Sequence, residues 1–192
     1  MYPKADSGQN MVADYRVASR NKVRAKTCVS DAKSAVRWIR EHAGELGVDP
    51  DRIAAGGGSA GGHLAAATAL IEEYNENTDN LSVSCIPNAL VLSNPVIDNG
   101  PGGYGYERIG SEYKNFSPLH NIKEGAPPTI FFLGTNDNLI GPHIDLCHNN
   151  VHSVVGTAGL HVLIQGLSHL VIQGSQHLGR PCDTSAQAYI LN

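Results

Sequence analysis

The sequence predicts an α/β domain in which mostly parallel strands are covered by helices on both faces. Short apolar runs alternate with helical patterns along the chain, and a glycine-rich turn joins one apolar run directly to a helix. At 192 residues the chain is long enough for a single domain, and no internal repeat is visible. The pattern predicts strands at 10–17, 53–56, 89–96, 129–134 and 162–165, and helices at 30–46, 60–74 and 143–155.

The first predicted helix is amphipathic and ends before Gly47. Its apolar positions recur at helical spacing and are Ala32, Ala35, Val36, Ile39 and Ala43. The charged side chains between them are expected to form its solvated face, and these are Lys33, Arg37, Arg40 and Glu41. The second helix is rich in alanine, and the strand at 129–134 is a continuous apolar run.

Composition argues against several functional classes. The net charge is −4, so a basic surface for nucleic acid is not expected. The longest nearly apolar stretch, residues 64–71, is too short to cross a bilayer, and no secretory signal pattern is present, so no membrane partner is predicted. The four cysteines are widely spaced and fit buried thiols better than a zinc site or a disulfide framework.

The most informative stretch is residues 52–63, which contains Gly57-x-Ser59-x-Gly61 between a predicted strand and a predicted helix. A serine on so tight a turn is held with its hydroxyl above the sheet, and small neighbours are needed beside it. The following helix directs its amide groups to the same point, so the N–H of Ala60 is expected to form part of an oxyanion hole. This pattern predicts a nucleophilic Ser59.

Two other interpretations of this stretch remain open at this stage. Gly56-x-Gly58-x-x-Gly61 also matches the dinucleotide-binding pattern of Rossmann-like domains. However, a strand and a long helix precede it, and the acidic residue expected about 20 positions later would be Asp79, in a polar loop. The third interpretation is a glycine-rich turn that only lets a helix and a strand pack closely.

A serine nucleophile needs a base and a carboxylate that orients the base. Asp137 directly follows the strand at 129–134, and His169 follows the short run at 162–165, in the order serine, acid, histidine. His63 lies on the helix after Ser59 and is expected to be a packing or capping residue. Other histidines stand at helical spacing around Cys147 (His143, His148 and His152), but without a carboxylate cluster they do not predict a metal site.

The sequence resembles the α/β-hydrolase superfamily and, within it, the acetyl esterases and hormone-sensitive-lipase-like carboxylesterases. The matching motifs are ADYRV (13–17), DAKSAVRWIR (31–40), GVDPDRI (47–53), GGSAGGHLA (57–65), LSNP (92–95), FSP (116–118), PPT (127–129) and GTND (134–137). The resemblance implies Ser59 as nucleophile, Asp137 as triad acid and the 98–118 segment as part of the substrate pocket. It also fits His169, in a Gly-x-x-His turn, as the base. The substrate-binding residues expected on this basis are Gly58, Pro95, Tyr104 and Tyr106.

The chain departs from this family at both ends. The His-Gly-Gly-Gly loop that supplies the rest of the oxyanion hole, and the strand leading into it, are missing, so the chain is expected to be a truncated α/β-hydrolase with about five mostly parallel strands. The single domain is expected to span 1–192, with a poorly defined leader at 1–10 and a divergent tail at 142–192. In the last 52 residues the charged side chains are only Asp145, Arg180 and Asp183. A frame-shifted or chimeric end near residue 141 is one explanation for this tail.

The missing strand leaves unpaired backbone groups between the strands at 10–17 and 53–56. We therefore expect either a homodimer that fills the gap or a rearranged sheet. The predicted function is a serine carboxylesterase for small esters with short acyl groups, with acetyl or feruloyl esters of plant sugars among the candidates and no cofactor. The alternatives are a catalytically impaired hydrolase fragment and, less favoured, a nucleotide-binding domain.

Overall fold

A central sheet carries a chain that alternates between strands and helices, as the sequence pattern requires. The computed structural model describes residues 10–134 with their side chains, except that only the backbone is described for 133–134, and the backbone of three later strands. The strands are β1 (Asn10–Ala13), β2 (Ala54–Ser59), β3 (Ala89–Pro95), β4 (Thr129–Gly134), β5 (His152–Gly156), β6 (Leu160–Ile164) and β7 (Ala188–Leu191). The α-helices are α1 (Ala18–Asn21), α2 (Ala25–Glu41), α3 (Ala43–Leu46), α4 (Ala60–Leu70) and α5 (Tyr106–Ile109), and 3₁₀ turns cover Gly110–Asn115 and Pro118–Asn121.

Parallel strands form the middle of the sheet. The strand order is β1-β7-β2-β3-β4-β6-β5, and β2, β3 and β4 pair in parallel. The pairs of β7 with β1 and β2, of β6 with β4, and of β5 with β6 are antiparallel. Five of the seven strands in the described part of the chain therefore run in one direction, and only β6 and β7 run the other way. The predicted α/β class with parallel strands is confirmed for the centre of the sheet, β2-β3-β4, and the sheet has more strands than the five expected.

The gap expected between the first two strands is filled by the chain itself. Strand β7 lies between β1 and β2, with Ile190 opposite Met11 on one side and opposite Ala55 on the other. The backbone groups of β1 and β2 that face the gap are thereby paired within one chain. Of the two alternatives predicted for this gap, the structure has the rearranged sheet, and the homodimer stays a prediction.

Several predicted boundaries differ from the structure. Strand β1 ends at Ala13, and within the remainder of the predicted strand the backbone N–H of Arg16 donates to the Asp31 carboxylate (2.8 Å). The helix predicted over 143–155 is wrong at residues 152–155, which lie in β5, and its earlier residues lie outside the described part. The β-branched pair Val154–Val155 favours a strand over a helix. The last predicted strand is found at Leu160–Ile164.

The expected solvated face of the first helix is largely wrong. Lys33 is 1% exposed and Arg37 is 6% exposed. The Lys33 ammonium donates to the carbonyl oxygens of Glu72 and Glu73, which follow α4. The Lys33 side chain thus buries its apolar methylene groups, and its ammonium group joins α2 to the segment after α4.

The other two charged positions of this face divide between structural and solvated roles. Arg40 is half-buried, and its guanidinium donates to the carbonyl oxygens of Pro50, Ser84 and Ile86. Glu41 is exposed, as predicted. The helical period therefore identified the apolar face of α2. Of the four charged residues beside that face, three are buried or half-buried, and only Glu41 is exposed to solvent.

Helix α4 is the central buried helix. All of its residues from Gly61 to Leu70 are buried, which is expected for a helix that is apolar on every side. It packs on β2 and β3, and a cluster of alanine and leucine side chains fills the space between them: Ala55, Ala65, Ala66, Ala69, Leu70, Leu90 and Leu92. Among the described residues no helix is both long and apolar enough to span a membrane.

Close packing at the start of α4 requires a glycine. A Cβ atom added at Gly62 would lie 2.7 Å from the Cβ of Pro95 and 2.9 Å from the carbonyl oxygen of Gly57. Both distances are shorter than real Cβ contacts allow, and one partner is backbone. Gly62 therefore sets how closely the beginning of α4 approaches the ends of β2 and β3.

We predict that Gly62→Ala lowers the free energy of unfolding by roughly 1–3 kcal/mol, the range for overpacking a core. Gly44→Ala is the matched control, because Gly44 is also helical and has nothing within 4 Å of an added Cβ. This control is expected to be neutral or to gain about 0.5–1 kcal/mol from lower backbone entropy. Urea denaturation of both variants measures the difference, and equal stabilities would contradict the role given to Gly62.

Candidate active site

Ser59 stands at the sharp turn where β2 ends and α4 begins. Its backbone angles are φ 50° and ψ −117°, and it is exposed at the end of the sheet. A non-glycine residue with these angles is strained, and such strain collects at functional sites. The predicted strand–serine–helix turn is therefore present, and the strain at Ser59 gives it the geometry expected of a nucleophile.

The neighbouring strand is shaped to match this turn. Gly58 pairs with Ser93, but Ser59 pairs with Pro95, so Asn94 is an extra residue in β3. Asn94 also has a positive φ of 42°, which asparagine tolerates better than most residues. The N–H of Val96 then donates to the carbonyl oxygen of Ser59 (3.1 Å). A bulge in β3 thus accommodates and holds the strained turn in β2.

Ala60 is the first residue of α4 and is exposed beside Ser59. The first amides of a helix have no acceptors within the helix, and the dipole places partial positive charge at this end. As predicted, Ala60 directly follows the serine at the start of a helix. Its role as an oxyanion donor stays a prediction.

A cavity of about 160 Å³ opens next to this turn. One wall is the first turn of α4, with Ala60, His63 and Leu64. The remaining lining comes from the segment after β3, from the turn around α5 and from the start of α2, and comprises Tyr15, Ala25, Cys28, Val96, Asn99, Tyr104, Gly105, Arg108, Ile109 and Phe116. The lining is predominantly apolar, which is typical of a site for a small organic molecule.

The predicted substrate-binding residues occupy different places. Tyr104 lines the cavity, with the Arg108 guanidinium 5.2 Å from the centre of its ring. Tyr106 is not part of the lining and packs edge-on against Tyr113, with 5.9 Å between ring centres. Gly58 is half-buried in β2, whereas Pro95 is buried at the end of β3. Asp137 and His169 lie outside the described residues.

His63 and Asn99 are cavity residues for which the sequence predicted no binding role. His63 stacks on Phe116, with 4.7 Å between ring centres, and its Nδ1 lies 3.0 Å from the carbonyl oxygen of Val96. It is therefore a packing residue, as predicted, but it also faces the cavity. Burial lowers its pKa to about 4, so the ring is neutral at physiological pH. The sequence signal that could have placed His63 near the site is its helical position, one turn after Ser59.

A second serine, histidine and aspartate group lies near the cavity and is structural. His120 Nδ1 lies 2.9 Å from Ser117 Oγ and 3.8 Å from Asp98 Oδ1. Ser117 is completely buried, and its hydroxyl donates to Ile97 and accepts from the backbone N–H of Asn99. A hydroxyl so occupied and enclosed is not available to a substrate, so this group fixes the loop that carries Asn99.

Comparisons with known proteins agree with this geometry. The BD-FAE family model matches residues 7–98. The chain is 45% identical over 74 residues to an arylesterase of Saccharolobus solfataricus, an alignment that covers 38% of this chain and 24% of that protein. It is 30% identical over 134 residues to the probable carboxylic ester hydrolase LipM of Mycobacterium tuberculosis, covering 58% of this chain and 30% of the relative.

Solved esterase structures share the fold. Thermogutta terrifontis esterase 2 phosphoramylated by tabun is 47% identical, with a TM-score of 0.64, and the match covers 69% of this chain and 51% of that one. The apo form of the same esterase is 49% identical, with a TM-score of 0.60, over 65% of this chain and 48% of the other. Over this region the chain has the α/β-hydrolase fold, and its sequence is similar to those of esterases. It spans about half of the solved esterase and about a quarter to a third of the first two curated relatives.

The structure also weighs against the dinucleotide-binding interpretation of the same glycines. Asp79, the acidic residue that this interpretation needs, pairs with Arg37 (2.9 Å) and accepts the Ser34 hydroxyl. Its carboxylate is thereby tied to α2 and is not held at the end of a strand for a ribose. The glycines instead serve the turn and the packing of α4.

We predict that His63 makes stability fall as the pH is lowered. The unfolded chain binds a proton at this ring near pH 6.5, whereas the folded protein binds it only near pH 4. Between these values the unfolded state holds more protons, so the free energy of unfolding rises with pH there. Because of His63, the free energy of unfolding at pH 4 is expected to be about 3 kcal/mol lower than at pH values above 6.5.

Urea denaturation at pH 7 and pH 4 measures this effect, with His63→Phe as the comparison. The variant keeps an aromatic ring against Phe116 but cannot be protonated. The wild type is expected to lose about 3 kcal/mol more than the variant over this pH range. Equal losses in the two proteins would show that His63 is not held neutral by burial.

Proposed function

We propose that this domain hydrolyses small carboxylic esters, with Ser59 as the nucleophile. The observation that carries the proposal is the strained backbone of Ser59 at the strand-to-helix turn, beside a mainly apolar cavity. Relatives named as an arylesterase and carboxylesterases support the reaction class. Because the chain spans only part of these relatives, the activity is proposed from the site and not transferred from them.

The mechanism assigns one role to each group. The Ser59 oxygen attacks the acyl carbon while His169 takes the hydroxyl proton, giving a tetrahedral intermediate with a negative oxygen. The bond to the alcohol then breaks, and the protonated His169 gives its proton to the leaving alcohol. Water, deprotonated by the same histidine, attacks the acyl-enzyme and releases the acid and the Ser59 hydroxyl. Asp137 orients the imidazole and stabilises its charged form.

The backbone N–H of Ala60 is proposed to stabilise the negative oxygen of the intermediate. The start of α4 favours this, because partial positive charge is fixed there without any reorganisation during the reaction. Removing one oxyanion donor from a known enzyme costs about 10²–10³ in rate, which is the size of the contribution proposed for the Ala60 N–H.

Short acyl groups fit the proposed site best. A cavity of about 160 Å³, with Ala60 in its wall, has room for a group about the size of benzene. Thermogutta terrifontis esterase 2 has been solved with propionate and with butyrate bound, at 46% and 47% identity to this chain. Acetyl, propionyl and butyryl esters are therefore the proposed substrates, with esters of plant sugars as one source. Of the residues predicted to bind substrate, Tyr104 lines this cavity and remains the proposed contact, whereas Gly58, Pro95 and Tyr106 are not part of the lining.

We predict that the chain hydrolyses p-nitrophenyl acetate and that Ser59→Ala lowers the rate to the uncatalysed background, because the acyl group then has no nucleophile to receive it. Release of p-nitrophenolate measures the reaction. Ser111→Ala is the control, since Ser111 is exposed and does not line the cavity. The control is expected to keep the wild-type rate.

The alternatives give different results in the same experiment. A catalytically impaired fragment predicts equal rates for the wild type and Ser59→Ala, and this result would overturn the proposal. Treatment with paraoxon separates the remaining cases, because esterase 2 is also known in a form phosphorylated by this compound. Modification mapped to Ser59 without turnover would identify a competent nucleophile in an impaired enzyme. A nucleotide-binding domain would instead bind NAD in calorimetry.

A further inference from the structure

The cavity beside Ser59 has one permanent charge in its wall, and this charge is positive. Among the described residues of the lining, Arg108 is the only arginine, lysine, aspartate or glutamate. His63 also lines the cavity, but burial lowers its pKa to about 4, so the ring is neutral at physiological pH. Burial raises the pKa of Tyr15 and of Cys28, so these two lining groups are neutral as well.

The Arg108 guanidinium is accessible and rests against two neighbours. The Arg108 side chain is 65% exposed, so a molecule entering from solvent can reach it. Its Cζ lies 5.2 Å from the centre of the Tyr104 ring. A Cβ atom added at Gly105 would lie 3.4 Å from Nη2 and 3.7 Å from Cζ, so the group also lies close to the Gly105 backbone. These contacts limit the positions of a long side chain before any ligand arrives.

The segment that carries Arg108 is anchored to the cavity wall. Asn99 Nδ2 donates to the carbonyl oxygen of Tyr104 (2.8 Å). The backbone N–H of Asn99 in turn donates to the Ser117 hydroxyl (3.0 Å), which is completely buried. Tyr104 and the short helix α5 behind it are thereby held beside the cavity, and Arg108 is held with them.

Arg108 keeps hydrogen-bond donors for a ligand. In the described part of the chain its one carboxylate partner is Glu107, whose Oε1 lies 3.3 Å from Arg108 Nε. The Glu107 side chain is 73% exposed, and an ion pair so exposed is weak. The Tyr104 side chain is the second polar partner. Because a guanidinium has five N–H donors, it can bind a further carboxylate through two parallel hydrogen bonds.

Two helices add partial positive charge at the same cavity. Helix α4 reaches the lining with its first residue, Ala60, and the 17-residue α2 reaches it with its first residue, Ala25. Neither helix has an acidic residue in its first turn. Both dipoles therefore favour a negative group in the cavity, in the same sense as Arg108.

We propose that this cavity binds the carboxylate of an anionic ester, with the Arg108 guanidinium as the group that selects it. The proposal rests on the proposed function and specifies its substrate class as short esters that carry a carboxylate. Half-esters of dicarboxylic acids carry this group in the acyl part, and esters of hydroxy acids carry it in the alcohol part. In both cases one carboxylate pairs with one guanidinium, and the carbon chain lies against the apolar lining.

The expected preference is moderate because Arg108 is exposed. Ion pairs at exposed positions correspond to a preference of roughly two- to fivefold for a charged ester over an uncharged ester of the same shape. Salt reduces such a preference, because the Debye length falls from about 30 Å at about 0.01 M to about 3 Å at about 1 M. A preference caused by shape alone would not depend on salt.

The test compares the kcat/KM of carboxylate esters with that of their primary amides, which have nearly the same shape and no charge. Monoethyl glutarate and ethyl glutaramate test the acyl part, and butyrylglycolate and butyrylglycolamide test the alcohol part. Acid release in a pH-stat measures all four, and each value is divided by the rate of hydrolysis without enzyme. We expect the carboxylate to be preferred at least twofold in one pair at low salt. Ratios of one or less in both pairs would overturn the proposal.

Variants show whether Arg108 causes the preference. Arg108→Gln removes the charge and is expected to bring the ratio to about one, whereas Arg108→Lys keeps the charge and is expected to keep part of the preference. Arg52→Gln is the matched control, because it changes the net charge equally at an exposed residue outside the lining. It is expected to keep the wild-type ratio.

The ratio is taken within one protein, so a general loss of active protein cancels. If Arg108 only supported the Tyr104 ring, its replacement would lower both rates alike. An unchanged ratio in Arg108→Gln, or an equal fall in Arg52→Gln, would contradict the assignment.

Binding separates this proposal from the proposed function. In Ser59→Ala, which lacks the nucleophile, NMR titration with the same ester pairs measures affinity without turnover. Tighter binding of the carboxylate ester in one pair supports the anion site even if the wild type hydrolyses nothing. Equal affinity within both pairs would overturn the anion site while leaving the assignment of Ser59 intact.

Discussion

The site depends on one local constraint, which is that the backbone of Ser59 is held in a conformation that a side chain disfavours. A non-glycine residue in this conformation costs of order 1–3 kcal/mol, and it persists only where the surrounding structure imposes the conformation. Three features do so: the bulge at Asn94 in β3, the hydrogen bond from Val96 to the Ser59 carbonyl, and the close seat of α4 that Gly62 permits. These contacts hold the strained residue from two sides, at an exposed position directly before Ala60, which lines the cavity.

The buried charges of α2 support the same arrangement from a distance. Lys33 binds the carbonyls just after α4, and Arg37 binds Asp79 and the Val83 carbonyl. Removing water from such charges is costly unless their donors are satisfied, and here they are bonded to carbonyls and a carboxylate. Helix α2 is thus joined to the segment that follows α4. These bonds hold the C-terminal end of α4, whose N-terminal end directly follows Ser59.

Sequence reasoning predicted most of the parallel core and the strand-to-helix turn at Ser59 because their signals are local. The apolar runs at β3 and β4, the alanine-rich α4 and the glycine pattern around Ser59 each specify a nearby structure. The position of β7 between β1 and β2 had no such signal, since it pairs residues far apart in sequence. The burial of Lys33 and Arg37 was also missed, because a helical period shows which face is apolar but not which loop lies over a charged side chain. The place of Asn99 in the cavity lining was missed for a related reason, because it depends on the loop held by Ser117.

The central claim is that packing imposes the conformation of Ser59 and that the side chain there is kept for chemistry at a cost in stability. The free energies of unfolding of Ser59→Gly and Ser59→Ala test it most directly, because neither variant has a hydroxyl and only glycine accepts these angles without strain. Glycine also gains more entropy on unfolding, which offsets about 0.5–1 kcal/mol. The account predicts that Ser59→Gly is nevertheless more stable than Ser59→Ala, by about 1 kcal/mol. A glycine variant that is less stable than the alanine variant would contradict it.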